Sequence, residues 1–313
     1  MIGHGFAPHW GWYIVLYFFL GGLAAGTYFA AALLELAGNP RDREAVRLGY
    51  LVSFPLVVVC TLLLIVDLGV PERFWHMVFQ SRNLPELLLK PWSPISLGVW
   101  ILIGFSLFAT VGFLGVLEEQ GRIKWAVAHR AAGWIRSRPG WLGNAWRVLG
   151  LLFAFALAGY TGVLVTATTI PVWQNAQLLG ALFLASAAST SYALLVLLML
   201  RRGATAGHPT VAKLARADRF AVLLELAVLL LLLLVLGRFA APIVGGGFGV
   251  LFWFGFVAAG LLFPLVLHRT AVRGWDPHRR ERIAAVCVLV GGLVLRFVVV
   301  MAPQYPQVQL WSL

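Results

Sequence analysis

Eight long apolar stretches restrict the fold of this chain more than any other feature. In lipid, every backbone amide must be hydrogen-bonded within its own segment, so a spanning helix needs about 20 mostly apolar residues. We predict such helices at about 11–37, 48–67, 95–117, 148–168, 176–200, 220–237, 248–268 and 283–301. The sequence therefore predicts an all-α integral membrane protein that forms a single polytopic domain over residues 1–313.

The distribution of charge gives an orientation. Only 12% of the residues are charged, against about 25% in an average soluble domain. Of the 24 Lys and Arg residues, nineteen fall in the loops 38–47, 118–147, 201–219 and 269–282, with 3, 6, 5 and 5 in turn. Basic loops favour the cytoplasmic side, so we expect both termini outside. This topology explains the net charge of +12 without a nucleic-acid partner, and lipid is the expected surrounding.

Several ionisable residues lie inside or at the ends of the apolar stretches. A charged side chain at the bilayer centre costs at least about 2.5–3.5 kcal/mol on insertion scales, so each needs a partner, water or a function. Counting about 1.5 Å of rise per residue, we place one group of polar residues near the outer face of the membrane. The group includes residues of the segment that follows the second helix. Its members are Tyr17, Asp67, Arg73, His76, Tyr160 and Arg296.

This outer group combines an acid, cations, an imidazole and two phenols beside apolar walls. These groups could bind a quinone headgroup, which needs hydrogen bonds to its two carbonyls and a proton route to water. Plainer interpretations stay open: a buried Asp67–Arg296 ion pair that only fixes packing, ordinary interfacial tyrosines and a surface His76. Glu35 and Glu225, near the predicted inner ends of their helices, form a candidate proton path, although snorkelling or helix capping is the simpler explanation.

The sequence offers no ligands for a redox metal. None of the seven histidines lies in the middle of a predicted helix, where a haem would need its axial ligands. Cys60 and Cys287 are isolated within apolar stretches, and no dinucleotide-binding fingerprint is present. We expect no haem, iron–sulfur cluster or other metal in this chain, so a redox metal would belong to a partner.

Six sequence blocks, in order along the chain, resemble the NrfD family, the membrane subunits of polysulfide reductase and cytochrome c nitrite reductase systems. They are FLGGLAAGTYFAAALL (19–34), DLGVPERFWHM (67–77), SPISLGVWIL (93–102), GYTGVLVTATTIPVW (159–173), LFLASAAST (182–190) and GGLVLRFVVVMA (291–302). The resemblance covers most of the chain. It implies eight helices arranged as two four-helix bundles, with menaquinol or another quinone bound near the outer face.

The resemblance also implies roles for particular residues. Tyr160 matches the tyrosine that the family places at the quinone headgroup, and Tyr17 occupies the position where the polysulfide reductase relative has a histidine. Asp67 matches the acid before the Pro-x-Arg-Phe element, and Arg296 matches the arginine of the eighth helix. The implied partners are an iron–sulfur subunit with several cubane clusters and a catalytic subunit, either a molybdopterin enzyme or a multihaem cytochrome c.

The leading expectation is a membrane anchor that binds quinone or quinol within a respiratory oxidoreductase complex of a bacterial or archaeal cytoplasmic membrane. In this interpretation the terminal substrate is converted in a partner. Two alternatives remain: a secondary transporter or proton-translocating subunit without a redox role, and a structural anchor whose polar residues only pack. The structural anchor predicts that Tyr160→Phe leaves quinol turnover intact, whereas the leading expectation predicts a large loss.

Overall fold

Eight of the described helices are long and apolar enough to cross a membrane, as predicted. The computed structural model describes residues 10–79, 87, 90, 92–122, 141–269 and 276–305. The spans are α1 (Trp12–Leu36), α2 (Arg43–Asp67), α3 (Pro94–Glu119), α4 (Trp141–Thr166), α5 (Leu179–Arg201), α6 (Pro209–Leu236), α7 (Gly246–Leu267) and α8 (Pro277–Met301). The all-α membrane fold class is confirmed.

The even-numbered helices begin earlier than predicted, most of all α6, which begins at Pro209 rather than at about 220. All four begin beside the basic loops, at what we call the basic end of the molecule. Their first two turns contain Arg or Lys, which the search for apolar stretches excluded. Proline in the first turn also starts α8, at Pro277, because its fixed φ suits that position and its missing N–H would have no partner there.

The other end of the molecule, which we call the cavity end, contains the connection between α2 and α3. Gly69, with a φ of +72°, terminates α2, and residues Pro71–Met77 form a short 3-10 helix. Residues 80–86, 88–89 and 91 of this connection lie outside the described residues. So do residues 123–140 of the basic loop 118–147.

Helix contacts divide the chain into two halves that share a seam. In the first half, α1 packs on α2, α2 on α3, α3 on α4 and α4 on α1. In the second half, α5 packs on α6 and on α8, and α8 packs on α7. The seam consists mainly of contacts of α5 with α1 and α4, and of α8 with α1, with fewer contacts of α5 with α2. These contacts favour the interpretation as two four-helix bundles.

The first helix is the common wall of the two halves. In its most apolar window 83% of the residues are buried, the highest share among the eight described spans. A Cβ added at Gly26 would lie 2.0 Å from Ser191 Oγ and 2.5 Å from the carbonyl oxygen of Ala187, both on α5. Glycine therefore permits the close backbone approach of α1 and α5.

Candidate functional site

A cavity of about 260 Å³ lies inside the first half at the cavity end. Four of its walls come from successive helices α1 to α4, and Met77 closes it from the connecting segment. The lining residues are mostly apolar, with one carboxylate and two phenols: Tyr17, Leu64, Asp67, Leu68, Met77, Ile95, Gly98, Val99, Leu102, Tyr160 and Leu164. The cavity thus brings together three of the six residues assigned to the outer group.

The two tyrosines of the cavity differ in how they are held. Tyr17 is 2% exposed, and its ring packs against that of Phe18 with centroids 5.5 Å apart. The Tyr160 hydroxyl donates a 2.7 Å hydrogen bond to the carbonyl oxygen of Pro94 at the start of α3. Its ring lies over Gly98, one turn further along α3. Tyr160 is therefore fixed by α3, with its hydroxyl oxygen still able to accept a hydrogen bond.

Asp67 occupies the mouth of the cavity as the last residue of α2. It is exposed, in contrast to the two phenols. The turn at Gly69 and the short helix Pro71–Met77 then bring Met77 back against the same cavity. This arrangement places a carboxylate between the apolar interior and water, where a proton can be exchanged.

Arg73 and His76 belong to the connecting segment but are not among the described residues that line the cavity. Arg73 is exposed on the short helix Pro71–Met77. The His76 imidazole is half-buried and lies against the indole of Trp75, with ring centroids 3.8 Å apart. Both residues lie close to Asp67 in the chain, and the geometry does not give them direct contact with a bound headgroup.

Arg296 lies in the second half of the molecule, away from the cavity. Its guanidinium donates hydrogen bonds to the Ser186 hydroxyl, to the Gly292 carbonyl oxygen at 3.0 Å and to the Phe183 carbonyl oxygen at 3.2 Å. It also lies over the Phe183 ring, 4.9 Å from the centroid. These contacts attach Arg296 to α5 and α8 rather than to Asp67, so the Asp67–Arg296 ion pair considered from the sequence is not formed.

Glu225 is a neighbour of this arginine. The predicted boundaries placed Glu225 near the inner end of its helix. Because α6 in fact begins at Pro209, Glu225 lies near the middle of the helix. The Ser189 hydroxyl donates a 2.9 Å hydrogen bond to Glu225 Oε2. The sequence analysis did not identify Ser186 and Ser189 as partners of buried charges. Their spacing of three residues, which puts both hydroxyls on one helix face, was the available signal.

Glu35 lies at the basic end of α1 in a separate cluster. It accepts a 2.7 Å hydrogen bond from the Tyr50 hydroxyl, and its Oε2 is 3.6 Å from Arg147 Nε. The two members of the candidate proton path thus belong to different halves, with Glu35 in the first and Glu225 in the second. In the first half, Glu35 lies at the basic end and Asp67 at the cavity.

The cavity suits a small aromatic ring with polar oxygen atoms. Its volume lies just below the range of about 300–1,000 Å³ that is typical for whole drug-sized ligands. Ile95 lines it and is also 59% exposed, so one wall borders the outer surface of the helices. A ring could therefore lie between the phenols while an attached apolar tail passes Ile95 into lipid. Among the described residues, no group of three or more His, Cys, Asp or Glu side chains is arranged to hold a metal ion.

Comparison with known proteins gives matches along almost the whole sequence. A family model described as "Polysulphide reductase, NrfD" matches residues 2–307. The sequence is 28% identical over 317 residues to the C polypeptide of the polysulfide reductase of Wolinella succinogenes, with 94% of each protein covered. It is 29% identical over 326 residues to protein NrfD of Escherichia coli, covering 94% of this protein and 95% of the other. A shorter match, 31% identical over 75 residues, involves 24% of this protein and 18% of a selenate reductase subunit of Mesobacillus selenatarsenatis.

Proposed function

Because this chain belongs to the NrfD polysulphide reductase family, we propose that it is the quinone- and quinol-binding membrane subunit of a respiratory oxidoreductase. In this proposal the headgroup binds in the cavity of Tyr17, Asp67 and Tyr160, and electrons pass between it and an external partner. The terminal substrate is converted elsewhere in the complex.

The eight apolar helices and the family membership make the chain a multi-pass protein of the bacterial cytoplasmic membrane. Both findings confirm what the sequence predicted. For the orientation we propose that the basic end faces the cytoplasm, by the positive-inside bias, and that the cavity end and both termini face outward. A proton exchanged at Asp67 would then enter or leave on the outer side.

The observation that best supports the proposal is the meeting of Asp67, Tyr17 and Tyr160 in one largely apolar cavity. The three side chains come from three different helices, so their convergence is a property of the fold. A cavity that served only helix packing would need neither two phenols on its walls nor a carboxylate at its mouth. The donor set fits a ring with two oxygen atoms.

A bound quinol would supply two electrons and two protons, and the residues of this protein would manage the protons. Tyr160, fixed by its hydrogen bond to Pro94, would orient one oxygen of the headgroup. Tyr17, buried on α1, would face the headgroup from the wall next to that of Tyr160. Asp67, at the exposed mouth, would accept a proton from the site and release it to water. Leu102 and Leu164 would exclude water from the inner part of the cavity.

We propose an iron–sulfur subunit with several cubane clusters as the direct electron partner, and beyond it a catalytic subunit, either a molybdopterin enzyme or a multihaem cytochrome c. Two relatives are named as one component of a larger reductase, the polysulfide and the selenate reductase. That naming supports a membrane subunit that works with others. The partner would dock at the cavity end, because electrons must leave near the headgroup.

The test is to purify the protein with its co-purifying subunits and to measure bound quinone in the lipid extract, iron in each subunit and quinol turnover. Tyr160→Phe is the decisive variant, and Tyr192→Phe on α5, which packs against Phe29 outside the cavity, is the matched control. We expect bound quinone and turnover in the wild type and control, and a large loss in Tyr160→Phe. Equal turnover in both variants, or purified protein without quinone or redox partner, would contradict the proposal.

A further inference from the structure

The second half of the molecule contains a series of buried polar side chains that the cavity does not use. The series follows the interior of α5, α6 and α8 from the basic end to the middle of the helices. Its members are all buried: Glu281, Asp218, Ser189, Glu225, Ser186 and Arg296. Each of these six costs free energy unless it is compensated, so their succession along one interior calls for an explanation.

The series begins with two acids near the basic end. Asp218 on α6 and Glu281 on α8 line a cavity of about 10 Å³, which is room for about one water molecule. The other lining residues include the small Ala193, Ala215 and Ala285, which leave this space open. Arg280 Nη2 lies 3.8 Å from Glu281 Oε1. This first level is thus polar, has room for water and lies close to the first turns of two helices.

The second level is Glu225, which follows Asp218 by two turns on the same face of α6, about 10.5 Å along the axis. The charges that act on Glu225 are those of Asp218 on its own helix and Arg296 on α8, and from α5 it faces Ser186 and Ser189. Ser189 binds Oε2 at 2.9 Å, whereas Oε1 is buried without a hydrogen bond of normal geometry. One carboxylate oxygen is therefore left to bind a proton.

The third level is Arg296, and the series stops there. Its Nη1 binds the Ser186 hydroxyl, and Nε is buried without a hydrogen bond. Beyond it, towards the cavity end, the described interior is apolar and includes Leu295, Phe252 and Trp173. The Trp173 indole N–H is itself used by the Val299 carbonyl oxygen at 2.8 Å. The polar line therefore begins near the basic end and ends in the middle of the molecule.

We propose that this series is a proton route from the basic end to Glu225, so that the second half takes up a proton during turnover. The proton comes from water at the basic end, passes Asp218 and the small cavity, and forms an O–H bond at Glu225 Oε1. The neutral acid gives it back when that bond breaks, and no electron moves in this step. Arg296 keeps a positive charge at the inner end of the series, which stabilises the Glu225 carboxylate once the proton has left. The inference rests on the proposed function in one respect: quinol turnover would drive the uptake of the proton.

The first experiment reads the proton on Glu225 directly and needs no electron transfer. Infrared difference spectra of the purified full-length protein in lipid nanodiscs would be recorded over a pH series in H2O and D2O. We expect a carboxylic acid C=O band that titrates, shifts in D2O and disappears in Glu225→Gln. In Asp218→Asn the shift after transfer to D2O should slow, because the route to water is interrupted. Glu72→Gln, which removes an exposed acid on the short helix Pro71–Met77, is the control and should leave the band unchanged.

The second experiment measures the protons taken up transiently at the basic end per electron transferred, with the co-purified complex in vesicles that contain a pH-sensitive dye. With quinol and a soluble electron acceptor, Glu225→Gln should lower this ratio, and Glu72→Gln should match the wild type. A ratio that is unchanged in Glu225→Gln would overturn the inference, as would a D2O shift equally fast in Asp218→Asn and wild type. A wild type that oxidises no quinol would count against the proposed function instead, and the infrared result would still decide the proton route.

Discussion

Gly98 on α3 and Tyr160 on α4 are in direct contact: a Cβ added at Gly98 would lie 2.0 Å from the Tyr160 hydroxyl oxygen. The same hydroxyl is bonded to the Pro94 carbonyl oxygen, one turn earlier on α3. The Tyr160 phenol is thus held by α3 at both Gly98 and Pro94. This helix provides no ionisable group to the described cavity wall. The position of the phenol depends on the absence of a side chain at Gly98.

Gly98→Ala should therefore displace Tyr160 and abolish quinone binding. The methyl group cannot fit without moving the ring, and overpacking of this kind costs typically about 1–3 kcal/mol of stability. Bound quinone per protein molecule and the thermal unfolding midpoint in detergent would be measured together. Gly159→Ala is the matched control beside Tyr160, because its new Cβ would be 3.8 Å from the nearest atom outside its own helix. Normal quinone content in Gly98→Ala would show that Tyr160 is not held as described.

Asp67→Asn should separate binding from proton transfer. Asparagine keeps the size and hydrogen-bonding capacity of the side chain but cannot accept a proton from a quinol. We expect quinone content close to that of the wild type and turnover lower by about 10²–10⁴-fold, the usual contribution of a general base. Quinone extraction and quinol oxidation would be compared on one preparation, with Glu72→Gln as the control. Full turnover in Asp67→Asn would mean that the proton leaves by another residue.

Arg296→Gln should destabilise the protein more than the double variant Glu225→Gln/Arg296→Gln. Removing one partner from a buried pair leaves an uncompensated charge, which costs about 3–5 kcal/mol, whereas removing both charges leaves none. The unfolding free energies of the two single variants and the double variant form a thermodynamic cycle that isolates the coupling. Strictly additive changes would indicate that the two residues do not interact.

Gly26→Ala should weaken the seam between the two halves. Its Cβ would lie 2.5 Å from the Ala187 carbonyl oxygen, and a backbone atom cannot rotate away as a side chain can. We expect a loss of about 1–3 kcal/mol in unfolding free energy. Gly21→Ala on the same helix is the control, since its nearest neighbour would be Cys60 Sγ at 3.8 Å. Equal stability of the two variants would exclude the close approach.

Hydropathy and charge were enough to predict the eight spans, because each span must satisfy its own backbone in lipid. Hydropathy and charge assigned the first turns of α6 and α8 to loops. Charged residues that flank an apolar stretch cannot be distinguished from loop residues by these two properties. The signals were the Pro residues at 209 and 277, each of which a helix accepts in its first turn. That misplacement is why Asp218 and Glu281 were not recognised as buried.

Counting residues along a helix gives depth but not direction around the axis. Tyr17, Asp67 and Tyr160 were placed at one level, and the structure brings them together in one cavity. Arg296 was placed at the same level, yet it faces α5 and has Ser186 as its partner. The direction depends on which helices are neighbours, and that is decided by long-range packing. The roles of Gly98 and Met77 were hidden for the same reason.

The deep burial of α1 has a consequence for how the protein is made. This helix is the first of the described spans to be synthesised and has the lowest mean hydropathy among them, 1.7, but four later helices cover it. Its glycine-rich face fits α5, which has not yet been synthesised when α1 reaches the membrane. During biogenesis α1 therefore waits in lipid or beside the insertion machinery with its packing face uncovered. A polypeptide cut short before α5 would keep that face open, and cellular quality control could recognise it as unfinished.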